Sequence, residues 1–165
     1  MNPGLDEPVH ARLGDSMDGF RTRWIAVSVL LVLAACATTT AALNLHLGGQ
    51  VIDLGRFLKD HPLAPQQNIR VDLIGTGETS SVHVVQVRDS EAPHVHANHD
   101  LRVVVLRGRG TLVIGHRKIR AGVGSVFEIE RGTRHYFVNA GPRPAAALAT
   151  FTPPYDGSDM APAPD

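Results

Sequence analysis

Several things are scarce in this chain. Its 165 residues include one cysteine, Cys36, so an intramolecular disulfide framework and a cysteine-based zinc finger are both excluded. Neither sign of charge is in excess: 16 Lys and Arg stand against 16 Asp and Glu. That excludes a nucleic-acid binder working through bulk positive charge, and equally an acidic disordered tail. Aromatic residues make up 5%, no internal repeat of solenoid length is present, and no long helical segments alternate with strands, which argues against a parallel α/β sheet. What is there in quantity is glycine (16), proline (11) and histidine (9), in a chain that is 43% hydrophobic. One turn-rich β domain fits that composition better than a helix bundle.

The apolar segment Trp24 to Ala35, WIAVSVLLVLAA, follows Arg21 and Arg23. It is short of the roughly 20 apolar residues of a membrane span and matches the apolar region of a secretory signal. Leu33-Ala34-Ala35-Cys36 resembles the lipobox of bacterial lipoproteins, in which the cysteine becomes the lipidated first residue of the mature chain. The resemblance implies lipidation at Cys36, a signal peptide over residues 1–35 and membrane attachment through the lipid. Asp6, Glu7, Asp15 and Asp18 outnumber Arg12, Arg21 and Arg23 ahead of it, the reverse of a signal n-region, so Met17 is the better start. The residue after the cysteine is Ala37 rather than Asp. By the same resemblance the expected location is the cell envelope, on the outer membrane facing the periplasm.

Beyond the signal, residues 36–67 read as a tether and lead-in with one short helix over 51–63, VIDLGRFLKDHPL, ended near Pro62. From residue 68 to 155 strand-length runs rich in Val, Ile, Leu and Thr follow one another: NIRVDLIG, SVHVVQVR, LRVVVLRG, GTLVIG, RKIRA, SVFEIE, RHYFVNA and AAALATFT. Gly or Pro punctuates most gaps, the pattern of an antiparallel sandwich or barrel. Residues 156–165, Pro- and Gly-rich, read as a flexible tail.

The densest chemical signal is Pro93-His94-Val95-His96-Ala97-Asn98-His99-Asp100. On a strand, residues two apart share a face, so His94 and His96 project together. His135 starts a later strand. Imidazole suits Zn, Fe, Ni or Cu, and an added carboxylate brings Mn and Fe(II) into range. His83, His46, His61 and His116 read as satisfied or solvated histidines, and Glu128 and Glu130 as an outward, solvated pair.

These segments resemble the paired motifs of the cupin superfamily. The first cupin motif is His-x-His, a short spacer, Glu, then Gly; this chain has His94-Val95-His96, Ala97-Asn98-His99, Asp100 and Gly108. The second is Gly, Pro-x-Gly, His and Asn at fixed spacing; here Gly124, Glu130-Arg131-Gly132, His135 and Asn139 fall in register, with Glu130 where the motif has Pro. The resemblance implies a single antiparallel double-stranded β-helix, or jelly-roll barrel, over 68–155. It implies a divalent metal, Fe, Mn, Zn or Ni, on His94, His96 and His135. Asp100, in the place of the motif's Glu, is carried over as a further metal ligand, and His99 is an alternative. A small-molecule ligand is compatible with such a barrel, and edge-strand pairing leaves room for a homodimer; a nucleic-acid partner is not expected. Cupins include non-catalytic binding domains, Fe(II) dioxygenases, sugar and keto-acid isomerases, and interaction barrels, and fold does not choose among them.

Overall fold

The structure, a computed structural model, describes residues 43–163. The expected signal peptide, the start at Met17 and Cys36 lie outside the described residues. The first described element is a hairpin, β1 (Asn44–Leu47) and β2 (Gln50–Asp53). Its turn is Gly48-Gly49, both at positive φ (54° and 86°), the conformation that two-residue hairpin turns demand and glycine supplies without strain. The helix α1 follows over Leu54–Asp60. The expected helix over 51–63 is thus corrected at its start. The Gly-Gly turn pairs Val51 with His46 and Ile52 with Leu45, so these residues join a strand. Asp53 then caps the helix, its carboxylate accepting from the Arg56 N–H at 2.9 Å.

The remaining strands form two antiparallel five-stranded sheets. One contains β3 (Ile69–Thr76), β4 (Ser81–Val87), β6 (Asp100–Arg107), β9 (Val126–Ile129) and β11 (Ala145–Thr152), in the order β3-β4-β11-β6-β9. The other contains β5 (His94–His96), β7 (Arg109–Ile114), β8 (Arg117–Gly122), β10 (His135–Asn139) and β12 (Met160–Pro162), in the order β12-β5-β10-β7-β8. The chain crosses from sheet to sheet at bends rather than through lateral pairing. One crossing is Gly108 between β6 and β7, at φ 88°; a Cβ there would lie 3.0 Å from the Cα of Ala145. Among the described residues no strand pairing joins the two sheets. The expectation of a closed barrel is corrected to a two-sheet double-stranded β-helix with open edges.

Alternation along each strand sorts side chains into an interior between the sheets and two outer faces. The interior cluster joins Leu101 and Val105 of β6, Ile129 of β9 and Phe151 of β11 with Leu112 of β7 and Ala121 of β8. The outer face of the β11 sheet is not bare. Val84 and Ala146 pack there against Leu45, Leu54 and Leu58 of the hairpin and helix, so the lead-in is part of the fold. The tail is corrected too: β12 pairs with β5 through Met160–His96, Ala161–Val95 and Pro162–His94.

A candidate metal centre of three histidines

Strand register assembles the site. His94 and His96 lie two apart on β5, and His135, the first residue of β10, is the direct cross-strand partner of His94. Residues remote in the chain thereby become neighbours: the ring centroids lie 5.3 Å (His94–His96), 4.4 Å (His94–His135) and 5.6 Å (His96–His135) apart. One ring nitrogen from each lies within 4.8 Å of the other two, and all three residues are buried.

The hydrogen bonds of the rings decide which nitrogen faces the centre. His94 Nδ1 meets the Ala92 carbonyl at 2.8 Å, His135 Nδ1 meets the Thr133 carbonyl at 2.8 Å, and His96 Nδ1 meets the Asp159 carboxylate at 3.0 Å. Each partner is an acceptor, so Nδ1 must donate. The neutral ring then carries its lone pair on Nε2, as a metal ligand requires. Burial holds the His135 imidazole at a pKa of about 4; the Thr133 carbonyl pulls the other way, and His94 and His96 add to the lowering. Burial likewise lowers that of His96, against the pull of Asp159. Three imidazoles oriented in this way are a donor set that fits a divalent cation of the zinc or iron kind.

The other expected site residues go elsewhere. Asp100 does not join the histidines. It precedes Leu101, which faces the interior, so the carboxylate points outward and accepts from the Arg131 backbone N–H at 2.9 Å and from its guanidinium. The Arg131 side-chain hydrogen bonds hold that carboxyl at about 2. His99 is not an alternative ligand, because both its nitrogens are engaged: Nδ1 with Asp159 at 2.6 Å and Nε2 with the Pro154 carbonyl at 3.2 Å. Glu128 faces outward as read, paired with Arg102 across β6 and β9. His83, read as satisfied or solvated, is satisfied and buried; Nε2 meets the Ser81 hydroxyl at 2.9 Å and the ring packs edge-on against Phe151.

Three contributors are absent from the sequence reading. Asp159, read as part of a flexible tail, has a side chain only 4% exposed, its Oδ1 on His96 and its Oδ2 accepting from His99 and from the Asn98 N–H at 2.7 Å. Burial pushes its carboxyl up, but the bonds from His99, Asn98 and His96 prevail and hold it at about 2. Tyr155 stacks on Phe151 (centroids 4.4 Å apart), and both rings stand edge-on to His96 at 5.1 Å. Glu91 borders the same cavity, its carboxylate accepting from the Phe137 N–H at 2.8 Å; burial raises its pKa although His94 pulls the other way. For Asp159 the only available signal was an isolated acid among Gly, Ser and Met.

The histidines stand in the wall of a cavity of about 730 Å³ between the sheets, the size range of small-molecule sites. Comparison with known proteins agrees with this geometry. The Cupin domain family model matches residues 81–151, a span that includes all three histidines and stops short of Asp159. An uncharacterized protein of Aquifex aeolicus is 35% identical over 112 residues, covering 67% of this chain and 89% of that one. Among solved structures, an uncharacterized conserved protein with a double-stranded beta-helix domain from Klebsiella pneumoniae superposes with a TM-score of 0.54 at 20% identity, covering 64% of this chain and 94% of that one. KdgF from Halomonas sp. gives 0.53 at 22% identity, covering 59% and 91%. With the two histidine segments in motif register, residues 81–151 match the Cupin domain family, and the sheets are wound as in these double-stranded β-helix structures.

Proposed function

We propose that this chain is an envelope-anchored cupin that holds one divalent cation on His94, His96 and His135 beside a small-molecule cavity. The observation that carries the reading is the shared anchoring of the three Nδ1 atoms on acceptors, which leaves Nε2 as the lone-pair nitrogen in three rings whose ligand atoms come within 4.8 Å of one another. A cation bound by three imidazoles keeps coordination positions open and supplies Lewis acidity toward a ligand oxygen. The chain's own part is orientation and exclusion of water: the Ala92 and Thr133 carbonyls and Asp159 fix the rings, while Phe151 and Tyr155 close one side of His96. Metal analysis of the full chain tests this. About one equivalent of Zn, Fe, Mn or Ni is expected, and His94→Ala with His135→Ala should abolish it; unchanged metal content in the double variant would refute the site.

Support for the anchor is the apolar run ending in Leu33-Ala34-Ala35-Cys36. Incorporation of labelled palmitate, absent in Cys36→Ala, is the expected outcome, and label retained in that variant would overturn it. One observation favours a second reading, a metal-dependent enzyme such as an Fe(II) dioxygenase or an isomerase: Glu91 places a carboxyl with a raised pKa at the cavity wall near His94, where it can exchange a proton with a bound molecule. Oxygen uptake or isomerisation by the iron-loaded chain, lost in Glu91→Gln without loss of iron, would establish that reading over simple binding.

A further inference from the structure

The cavity wall is uneven in its chemistry. The β11 strand, central in its sheet, offers Ala145, Ala147 and Ala149 to the cavity. Small side chains at successive inward positions leave room that a valine or leucine row would fill. On the flanking strands β4 and β6 the inward positions are His83, Val85 and Val87, and Leu101, Val103 and Val105. No Lys, Arg, Ser, Thr, Asn or Gln belongs to the wall among the described residues. Its polar groups are the three histidines, His83, Glu91, Tyr155 and Asp156. Strand β5 supplies His94 and His96, and β10 supplies His135. The valines and alanines, with His83 beside them, belong to the opposite sheet.

The mouth is apolar as well. Val71 and Leu73 on the edge strand β3 and Met160 on the edge strand β12 border the cavity while being 49%, 57% and 59% exposed, so the space opens between these two edges. Exposed aliphatic side chains around an opening are unfavourable in water unless something apolar passes or rests there.

We propose that the occupant is an amphiphile with a single oxygen-bearing polar end and an apolar alkyl or aryl body. The polar end faces the three histidines, and the body lies along the alanine floor of β11 between the β4 and β6 valines. This rests on the metal reading for the polar end and on the cavity wall for the body. A sugar, a nucleotide or a dicarboxylate would carry hydroxyls or a second charge onto the alanine and valine wall, where His83 is the one polar lining residue of the β11 sheet among the described residues, which is strongly unfavourable.

The test is a chain-length series on the zinc-loaded full chain by isothermal titration: acetate, butanoate, hexanoate, octanoate and octanedioate. Affinity should rise roughly fourfold per added methylene as each is withdrawn from water, and octanedioate should bind at least tenfold more weakly than octanoate. Ala147→Phe should flatten the series and leave zinc affinity within threefold. Affinity independent of chain length, or octanedioate binding as tightly as octanoate, overturns the proposal; so does a series in a folded Ala147→Phe that matches wild type. If that variant does not fold, the wild-type series decides alone. Zinc titration without carboxylate reads the metal separately: a chain that takes up no zinc yet still binds octanoate over acetate refutes the metal reading and keeps the apolar pocket.

Discussion

Asp159 illustrates how one side chain sets the chemistry of another. Its carboxylate accepts the His96 Nδ1 proton and so leaves Nε2 as the lone-pair nitrogen. Groups in this position generally influence metal affinity by 10- to 100-fold. Asp159→Ala should therefore weaken zinc binding by roughly that factor, read by competition with a chromogenic chelator. Asp100→Ala, which removes only an exposed pair with Arg131, should leave zinc affinity within about twofold, as expected for an exposed ion pair. Equal losses in both variants would show that neither acts through His96. The sequence made the histidines legible because their spacing on strands carries directional information. It could not reveal Asp159, since nothing local ties a Gly-Ser-Asp-Met segment to a histidine 63 residues away; only the β12–β5 pairing brings them together.

At the scale of elements, the strand runs were readable because Val, Ile and Thr clusters alternate with glycine turns. Among the described residues, eight of the twelve strands correspond to them with small shifts at the ends. The β1–β2 hairpin was hidden because Val51 and Ile52 also fit the start of a helix and Asn44–Leu47 falls in a stretch read as lead-in; the Gly-Gly turn decides in favour of pairing. Closure into a barrel was not legible at all, since it depends on whether edge strands of separate sheets meet. Gly110, in β7, shows how tightly two of these strands pack. A Cβ there would overlap the Val138 carbonyl and the Phe137 ring of β10. Gly110→Ala should lower stability by about 1–3 kcal/mol, as overpacking usually does, measured as a drop in the urea midpoint. An unchanged midpoint would mean that β7 and β10 have slack which the close contact does not suggest.

For the whole molecule, the buried histidines predict an acid response of the metal-free protein. His135 has a folded pKa of about 4 against the ordinary 6.5, so between those values the unfolded chain binds more protons than the folded one. Stability is then fully present above pH 6.5 and falls as the pH drops toward 4, by about 3 kcal/mol from this residue. His96 shifts in the same direction. Asp100 and Asp159, held at about 2, add a further loss as the pH drops below the ordinary carboxylate range through their folded values. Thermal melts of chelator-treated protein should show Tm declining from pH 6.5 to 4, with the decline shallower in His135→Gln. A Tm flat across that range would mean the ring is charged in the folded state.

The exposed stretch of residues 156–158 that leads toward β12 also has a bearing on how the protein ages. A single endoproteolytic cut there would untie Asp159 from the chain leaving β11 while every strand of the β11 sheet stays whole. Wear of that kind should register first as a slackened His96 ring and only later as collapse of the sandwich.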